Sequence, residues 1–463
     1  MSTRYNFFGG LVTDGLILNL DAAKLQSYPG TGTNWYDISG NNNNGTLING
    51  PTLTGSGKNL AITFDGTNDY TEILDNSIID FGTSNFTSNI WIYPSSSLIG
   101  NTEYGIINKN NGFQNSTGWG LELSTYEYSS PFPKVDIIGF NSVQSSWGLS
   151  NVLAPIRTNT WSNVNLIRTG NKFDLYVNGS LSATKINSNV GLNVDNSVNL
   201  TLGKSSTWQS YFKGNISNFN LFNRALSPFD VYQNFNALKG RYDIPDIVTS
   251  GLTLNLDAGN PYSYSPLNTG STTWTDVSGN GNNGTLTNGT YYSGGTMVFD
   301  GVDDYVVKSN FSGLGSNPSY TMMAWMQFGN LSIGAGTDAN IMWYGGQTIR
   351  GAAALDQKGN KLCSLHYADD ITFSSFSPII NTPYHAVMSY DNSSRVVKLY
   401  VNGVFIESGT HSGNLNITSQ NLFIGGGPRG WTGKISTPQI YNRVLSDAEI
   451  TQNFNALRGR YGI

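Results

Sequence analysis

One cysteine, Cys363, and three histidines, His366, His385 and His411, are all the thiol and imidazole that 463 residues contain. A lone cysteine excludes an intramolecular disulfide and any cysteine-based zinc site, and the histidines do not have the spacing of a metal motif. Charge is scarce as well: charged residues make up 12% of the chain, the net charge is −5, and no Lys/Arg cluster occurs. Without clustered positive charge the long-range attraction that phosphate backbones require is missing, which excludes nucleic acid as a partner. No apolar run approaches the roughly 20 residues of a membrane-spanning helix, so membrane insertion is excluded too. The opening residues, Met1 to Gly10, lack the apolar core of a signal peptide, and the expectation is a soluble product made in the cytoplasm. Solubility then rests on neutral polar side chains among 54 glycines.

What the chain does have, it has twice. Trp35-Tyr-Asp37-Ile-Ser39-Gly40-Asn41 runs on to Asn44-Gly45-Thr46-Leu47, and Trp274-Thr-Asp276-Val-Ser278-Gly279-Asn280 runs on to Asn283-Gly284-Thr285-Leu286. Gly-Leu-x-Leu-Asn-Leu-Asp-Ala precedes each copy (Gly15 to Ala22, Gly251 to Ala258), and Phe-Asp-Gly-x-x-Asp-Tyr follows it (Phe64 to Tyr70, Phe299 to Tyr305). Leu-Tyr-Val-Asn-Gly (Leu175 to Gly179, Leu399 to Gly403) and Gln-Asn-Phe-Asn-Ala-Leu (Gln233 to Leu238, Gln452 to Leu457) complete the set. A period of roughly 220 to 240 residues is far beyond the 20 to 50 of a solenoid and marks a duplicated domain. The expected division is a docking arm at residues 1–14, a first domain at 15–243, a linker at 244–250 and a second domain at 251–463.

Within each copy the local signals are those of an all-β fold. Leu16, Leu18 and Leu20 recur at every second position and share one side, the period of a half-buried strand, as do Leu252, Leu254 and Leu256. Phe86 to Ile92 and Tyr320 to Met326 suit core strands whose single tryptophans pack. Asn178-Gly179 and Asn402-Gly403, between β-rich flanks, carry the type I′ hairpin signal. Pro438 interrupts the strand expected over Ile435 to Tyr441 and suggests an edge or a bulge. Ser227-Pro228-x-Asp230 and Ser446-x-x-Glu449 place a capping box before the one helix expected per copy, with Val231, Phe235 and Leu238, or Ile450, Phe454 and Leu457, as its apolar stripe.

These landmarks resemble the laminin-G-like, concanavalin A-like jelly-roll domains found singly or in tandem in virion proteins of tailed bacteriophages, cyanophages included. The resemblance covers nearly the whole chain, twice, and implies two antiparallel sheets packed face to face in each domain. Family members often hold calcium near the Asp-x-Ser-Gly-Asn loop. The matching oxygen donors are Asp37, Asn41 and Asp65, with Asp276, Asn280 and Asp300, hard ligands suited to that ion. Relatives carry an acidic residue in the strand before Asn-Arg-x-Leu-Ser, where this chain has Ser217-Asn218-Phe219 and Ser436-Thr437-Pro438, which weakens such a site; the alternative is that Asp37 and Asp276 organise their loops as Asx-turns.

The paired carboxylates that jelly-roll glycosidases carry as Glu-x-Asp-x-x-Glu are absent, and the odd spacing of Glu122 and Glu127 puts them on opposite faces of any strand, as surface residues. His385, opposite Ser162 in the other copy, has no nucleophilic partner in a recognisable motif. No enzyme is expected. Sugar binding would use aromatic platforms in the segments where the copies diverge. Trp119, Tyr126, Trp147 and Trp208 in the first copy, and Trp343 and Tyr344 in the second, are the candidates, each weighed against a packing role. The expectation is a non-enzymatic virion surface protein, a capsid decoration or fibre-associated module with glycan affinity as a secondary property, in contact with other capsid or tail proteins and homo-oligomeric or assembly-bound. The alternative is an adhesin for host-surface polysaccharide, and the weakest reading, against which the missing carboxylate pair weighs, is a carbohydrate-active enzyme.

Overall fold

The computed structural model describes residues 10–98, 103–110, 117–124, 136–141, 153–187, 191–205, 210–268, 270–332, 338–417 and 421–463. Two compact units divide the chain: residues 1–244 with Arg458–Ile463, and Pro245–Leu457. The stretch expected as a linker is largely part of the second unit. Val248 is buried with Leu252, Met323 and Tyr441; its N–H donates to Asn453 Oδ1 at 2.7 Å and its carbonyl accepts from the Tyr441 hydroxyl at 2.8 Å. The first unit repeats the clamp at the inner end of the arm, where Val12 N–H donates to Asn234 Oδ1 at 2.8 Å and Gln233 Nε2 to the Gly10 carbonyl at 2.7 Å. Tyr5, Phe7 and Phe8 lie outside the described residues.

Each unit is a sandwich of two antiparallel sheets, as the alternation of the strands requires. In the first unit one sheet runs Ser180–Ile186, Lys172–Val177, Ser162–Thr169, Phe86–Pro94, Lys213–Phe222, Ala61–Asp65, Thr52–Thr54, with Leu16–Asp21 also paired to Lys213–Phe222. The second sheet runs Leu153–Ile156, Asp136–Asn141, Gly118–Ser124, Glu103–Asn110, Leu200–Leu202, Tyr70–Ile73, Gly45–Ile48, Asn34–Trp35. Leu18, Phe64, Ile90, Val164, Leu175 and Ile216 from one sheet meet Trp35, Ile73, Ile107, Leu121 and Leu202 from the other in a single buried core. The second unit repeats the arrangement, with Leu254, Phe299, Met322 and Met388 facing Trp274, Val306, Met342 and Leu355. The Pro438 break divides the last strand into Thr432–Ile435 and Gln439–Tyr441. It is a central strand, paired on both sides, so the break is no edge. At the same place the first unit has a bulge between Ile216 and Asn218, and both irregularities accommodate a local loss of register.

The outer face of the first sheet is covered by the helix that each sequence copy places last. Pro228–Leu238 buries Val231, Asn234, Phe235 and Leu238, and Phe235 stacks on Trp91 at 5.8 Å between ring centroids. The tryptophans of the Phe86–Pro94 and Tyr320–Phe328 strands thus pack under the helices. Ser227 and Asp230 form the full capping box, and Ser446 with Glu449 repeats it in front of Asp447–Leu457. Asn178 and Gly179 have φ of 48° and 79°, and Asn402 and Gly403 have 52° and 79°, the two positive values a type I′ turn needs. A Cβ on Gly179 would sit 3.0 Å from the Phe235 ring, so the hairpin tip can pass beneath the helix only as glycine.

Under the first unit's helix lies a ladder of amides. Asn165, Asn89, Asn220 and Asn19 stand opposite one another on four adjacent strands, all buried. Asn89 Nδ2 donates to Asn220 Oδ1 and Asn220 Nδ2 to Asn19 Oδ1, each at 2.9 Å, while Asn163 Nδ2 donates to Asn89 Oδ1 at 2.6 Å. The corresponding row of the second unit is Val387, Met323, Gln439 and Asn255. The same register aligns His385 with Asn163, because they stand opposite Trp325 and Trp91 and both backbone N–H groups bind the hairpin asparagine; the Ser162 match expected from the sequence is one residue off.

Candidate functional site

The Asp-x-Ser-Gly-Asn loop is organised by its own aspartate. Asp37 Oδ1 accepts from Asn19 N–H (2.9 Å) and Ser39 N–H (2.8 Å), and Oδ2 from the Ser39 hydroxyl (2.8 Å) and Asn43 N–H (3.0 Å). Asp276 repeats every contact, with Asn255, Ser278 and Asn282 as donors. Asn43 and Asn282 then tie the loop to the first strand through the Ile17 and Thr253 carbonyls, both at 2.8 Å. Asn41 and Asn280 turn their amides inward to Ser39 and Ser278. Asp65 closes a separate turn, accepting from Thr67 N–H at 2.7 Å, which holds its carboxyl below the usual range. Asp300 accepts from Val302 N–H at 2.8 Å in the equivalent turn. As a calcium cage this donor set does not fit: the carboxylates of Asp37 and Asp276 each serve four protein donors, and the other members face their own turns. Asp300, Asp303 and Asp304 do bring one carboxylate oxygen each within 4.8 Å of one another, two of the three residues being exposed.

The aromatic candidates fare differently. Trp119 is fully buried between the sheets, 4.7 Å from the Phe86 ring, because it shares the strand period with Leu121 and Leu123. Tyr344 is a core residue whose hydroxyl donates to the Leu314 carbonyl at 3.0 Å. Trp343 faces the other way but is 3% exposed and spends its N–H on the Gly345 carbonyl at 3.1 Å. None of the three is an open platform. Tyr126, Trp147 and Trp208 lie outside the described residues, as does Glu127. Glu122 is buried on the outer face of the second sheet, where the Ser205 hydroxyl donates to it at 2.8 Å, and is therefore no surface residue.

The second sheet's outer face, where of the sequence candidates only Trp343 lies among the described residues, is where the two units part company. Direct cross-strand pairs in the first unit connect Asn34, Thr46, Glu72, Thr201 and Asn108, ending on Gly120. Alternation puts them outward: Thr71 and Ile73 flank Glu72 on the core side, as Leu200 and Leu202 flank Thr201. The equivalent row of the second unit is Thr273, Thr285, Val307, Phe423, Trp343, Ala354 and Leu365. The first unit thus carries a polar row, of which Thr201 and Asn108 are buried, whereas the second keeps two exposed threonines and turns apolar from Val307 onward. Asn34 and Thr46 are exposed and Glu72 is half-buried. Beside Glu72, Tyr70 lies under the Lys204 ammonium, 4.4 Å from ring centroid to nitrogen, and 6.5 Å from the Tyr211 ring. The Tyr70-Thr-Glu72-Ile alternation could have pointed to this face.

Residues 65–232 and 299–451 match the family model of the concanavalin A-like lectin/glucanases superfamily, in its third laminin-G form. No curated protein matches the chain. Similar solved structures include domain 4 of AbnA, an extracellular arabinanase from Geobacillus stearothermophilus, in complex with arabinotriose, at 14% identity over 47% of this chain and 97% of that one with a TM-score of 0.32. The binding domain of Paraclostridial Mosquitocidal Protein 1 matches at 14% identity over 93% and 92% of the two chains, TM-score 0.37. The binding domain of Botulinum neurotoxin DC, in complex with rat synaptotagmin II, matches at 14% over 96% and 98%, TM-score 0.38. Likeness at that distance carries no functional argument. The family match spans most of both sequence copies, and the chain belongs to the concanavalin A-like lectin/glucanases superfamily.

Proposed function

We propose that the chain is a non-enzymatic glycan-binding protein whose first unit holds a polysaccharide across the outer face of its second sheet. The observation that carries this is the accessible end of the polar row, Asn34, Thr46 and Glu72, whose carboxylate gives way to Val307 in the second unit. Sugar hydroxyls both donate and accept, and short amide, hydroxyl and carboxylate groups at strand spacing match them. A non-enzymatic role is supported by the sequence, which lacks the Glu-x-Asp-x-x-Glu pattern of jelly-roll glycosidases.

The finer placement, on the surface of a tailed-phage virion as a capsid decoration or fibre-associated module, is supported by the sequence motifs and the low charge. In that setting the polysaccharide is that of the host envelope and the other partners are virion proteins. The test is a pull-down of the purified chain on host-envelope polysaccharide and on virions stripped of accessory proteins, with calcium or with chelator. Polysaccharide binding that Glu72→Ala with Thr46→Val weakens tenfold or more supports the glycan site. Capture by stripped particles alone, unchanged in that variant, overturns it in favour of a purely structural decoration.

A further inference from the structure

All three histidines of the chain lie in the second unit, and all three are buried to 1% exposure or less. Two of them stack. The His366 and His411 rings are 3.5 Å apart between centroids and 14° from parallel. His411 Nδ1–H donates to the Asp369 carbonyl at 2.7 Å, and its Nε2 lies 3.1 Å from the Ser364 hydroxyl. His366 Nε2 lies 3.1 Å from the Tyr320 hydroxyl, its ring stands edge-on to Tyr390, and its Nδ1 has no partner among the described residues. The pair thus fastens two segments, the turn after Lys361–Leu365 and the turn after Val404–Thr410, to the strands Tyr320–Phe328 and Pro383–Asp391.

We propose that this stack is an acid-sensitive lock: in mildly acidic medium the two segments leave the sheet while the first unit stays closed. An imidazolium is a donor at both nitrogens, and on His366 the second donor would point at nothing in a dry site. Protonating both rings would also set two positive charges face to face. The charged groups around the pair do not relieve this. Asp369 Oδ1 is 3.9 Å from His411 Nδ1, but that carboxylate is already bound to Arg350 and to the N–H groups of Ser412 and Gly413. Arg350 itself repels both rings, and Asp369 favours the charge in each. Across the sheet, Asp356 lies near Tyr320, with Arg395 and Asp391 near Tyr390. Burial is the largest effect on both histidines and lowers both.

The sign follows by linkage. A histidine whose folded pKa lies below its unfolded value of about 6.5 leaves stability intact above that pH and removes it as pH falls, because only the open form takes the proton. Each silenced imidazole raises the opening constant up to about tenfold per pH unit below ~6.5, and the pair up to about a hundredfold.

Peptide-resolved hydrogen exchange of the full chain at pH 7.5 and 5.0, with rates corrected for intrinsic pH dependence, tests this. Expected is a loss of protection of tenfold or more in peptides covering residues 362–373 and 405–417, with peptides of residues 15–98 unchanged. Unchanged protection in the two segments, or an equal loss in both units, overturns the lock. His366→Phe keeps a ring in the stack and removes one titration, so the pH response should shrink by about tenfold per unit. Should that variant fail to fold, imidazole proton shifts of the native chain decide: ring signals of His366 that titrate normally near pH 6.5 in the closed protein overturn the proposal.

Discussion

At the scale of the residue, Asp37 and Asp276 show how much a single carboxylate can fix. Each takes four hydrogen bonds from its loop and from the first strand, and the backbone donors would be stranded without it. Asp37→Ala should cost about 2–4 kcal/mol in urea unfolding, since leaving buried N–H groups unsatisfied costs about 1–3 kcal/mol apiece with partial recovery from water. A chelator should leave the midpoint unchanged, because the loop's acceptors are served by protein donors. The sequence made these aspartates visible through their spacing to Ser-Gly-Asn, and both of the roles weighed for them used the same oxygen atoms. Choosing between an ion and an Asx-turn needs the positions of the N–H groups, which the motif does not give. Of the aromatic candidates among the described residues, Trp119, Trp343 and Tyr344 are buried. Trp119 was a candidate platform, weighed against packing, because its segment diverges between copies; its alternation with Leu121 and Leu123 puts it on the core side.

At the scale of the element, punctuation was the most legible feature. Hairpin turns at Asn178-Gly179 and Asn402-Gly403, both capped helices and the strand pattern follow from local residues, each chosen for a backbone conformation or an orphan donor. The capping box gives a direct test: Ser227→Ala should destabilise the first unit by about 1 kcal/mol, and Ser446→Ala the second by a similar amount, in thermal unfolding. Less legible was what each sheet does with its outer face. The row from Asn34 to Asn108 is assembled from five strands scattered between residues 34 and 202, and no local window contains it. Only the register brings it together, and the contrast with Val307, Phe423 and Trp343 appears only once both registers are known.

At the scale of the whole chain, duplication is plain in the sequence, whereas the packing of Asp246 to Val248, within the stretch expected as a linker, is not. Those residues repeat Gly10 to Val12, a match of only two aliphatic positions, and they are recognised by the Gln-Asn pair on the helix that closes each unit. Topology makes each unit an all-or-none structure. Leu16–Asp21 pairs with Lys213–Phe222, and the latter strand also lies between Phe86–Pro94 and Ala61–Asp65. A fragment ending before Lys213 lacks the centre of its first sheet. It should show no cooperative thermal transition and should bind a hydrophobic dye, whereas native-like cooperativity in that fragment would contradict this account of the sheet.

The asparagine ladder has a consequence for how such a chain finds its own alignment. A sheet whose apolar residues alternate regularly can pair equally well after a shift of two residues, since every side chain then returns to the same face. Asn19, Asn89, Asn220 and Asn165 reduce that degeneracy, because a slip of two residues that brings Ile167 or Phe222 opposite Asn89 would face a buried amide with a hydrocarbon. The amides act as the teeth of a key: they distinguish the native pairing from one slipped copy of it, in a molecule whose second unit offers strands of the same pattern but with Val387 and Met323 where the first has Asn165 and Asn89.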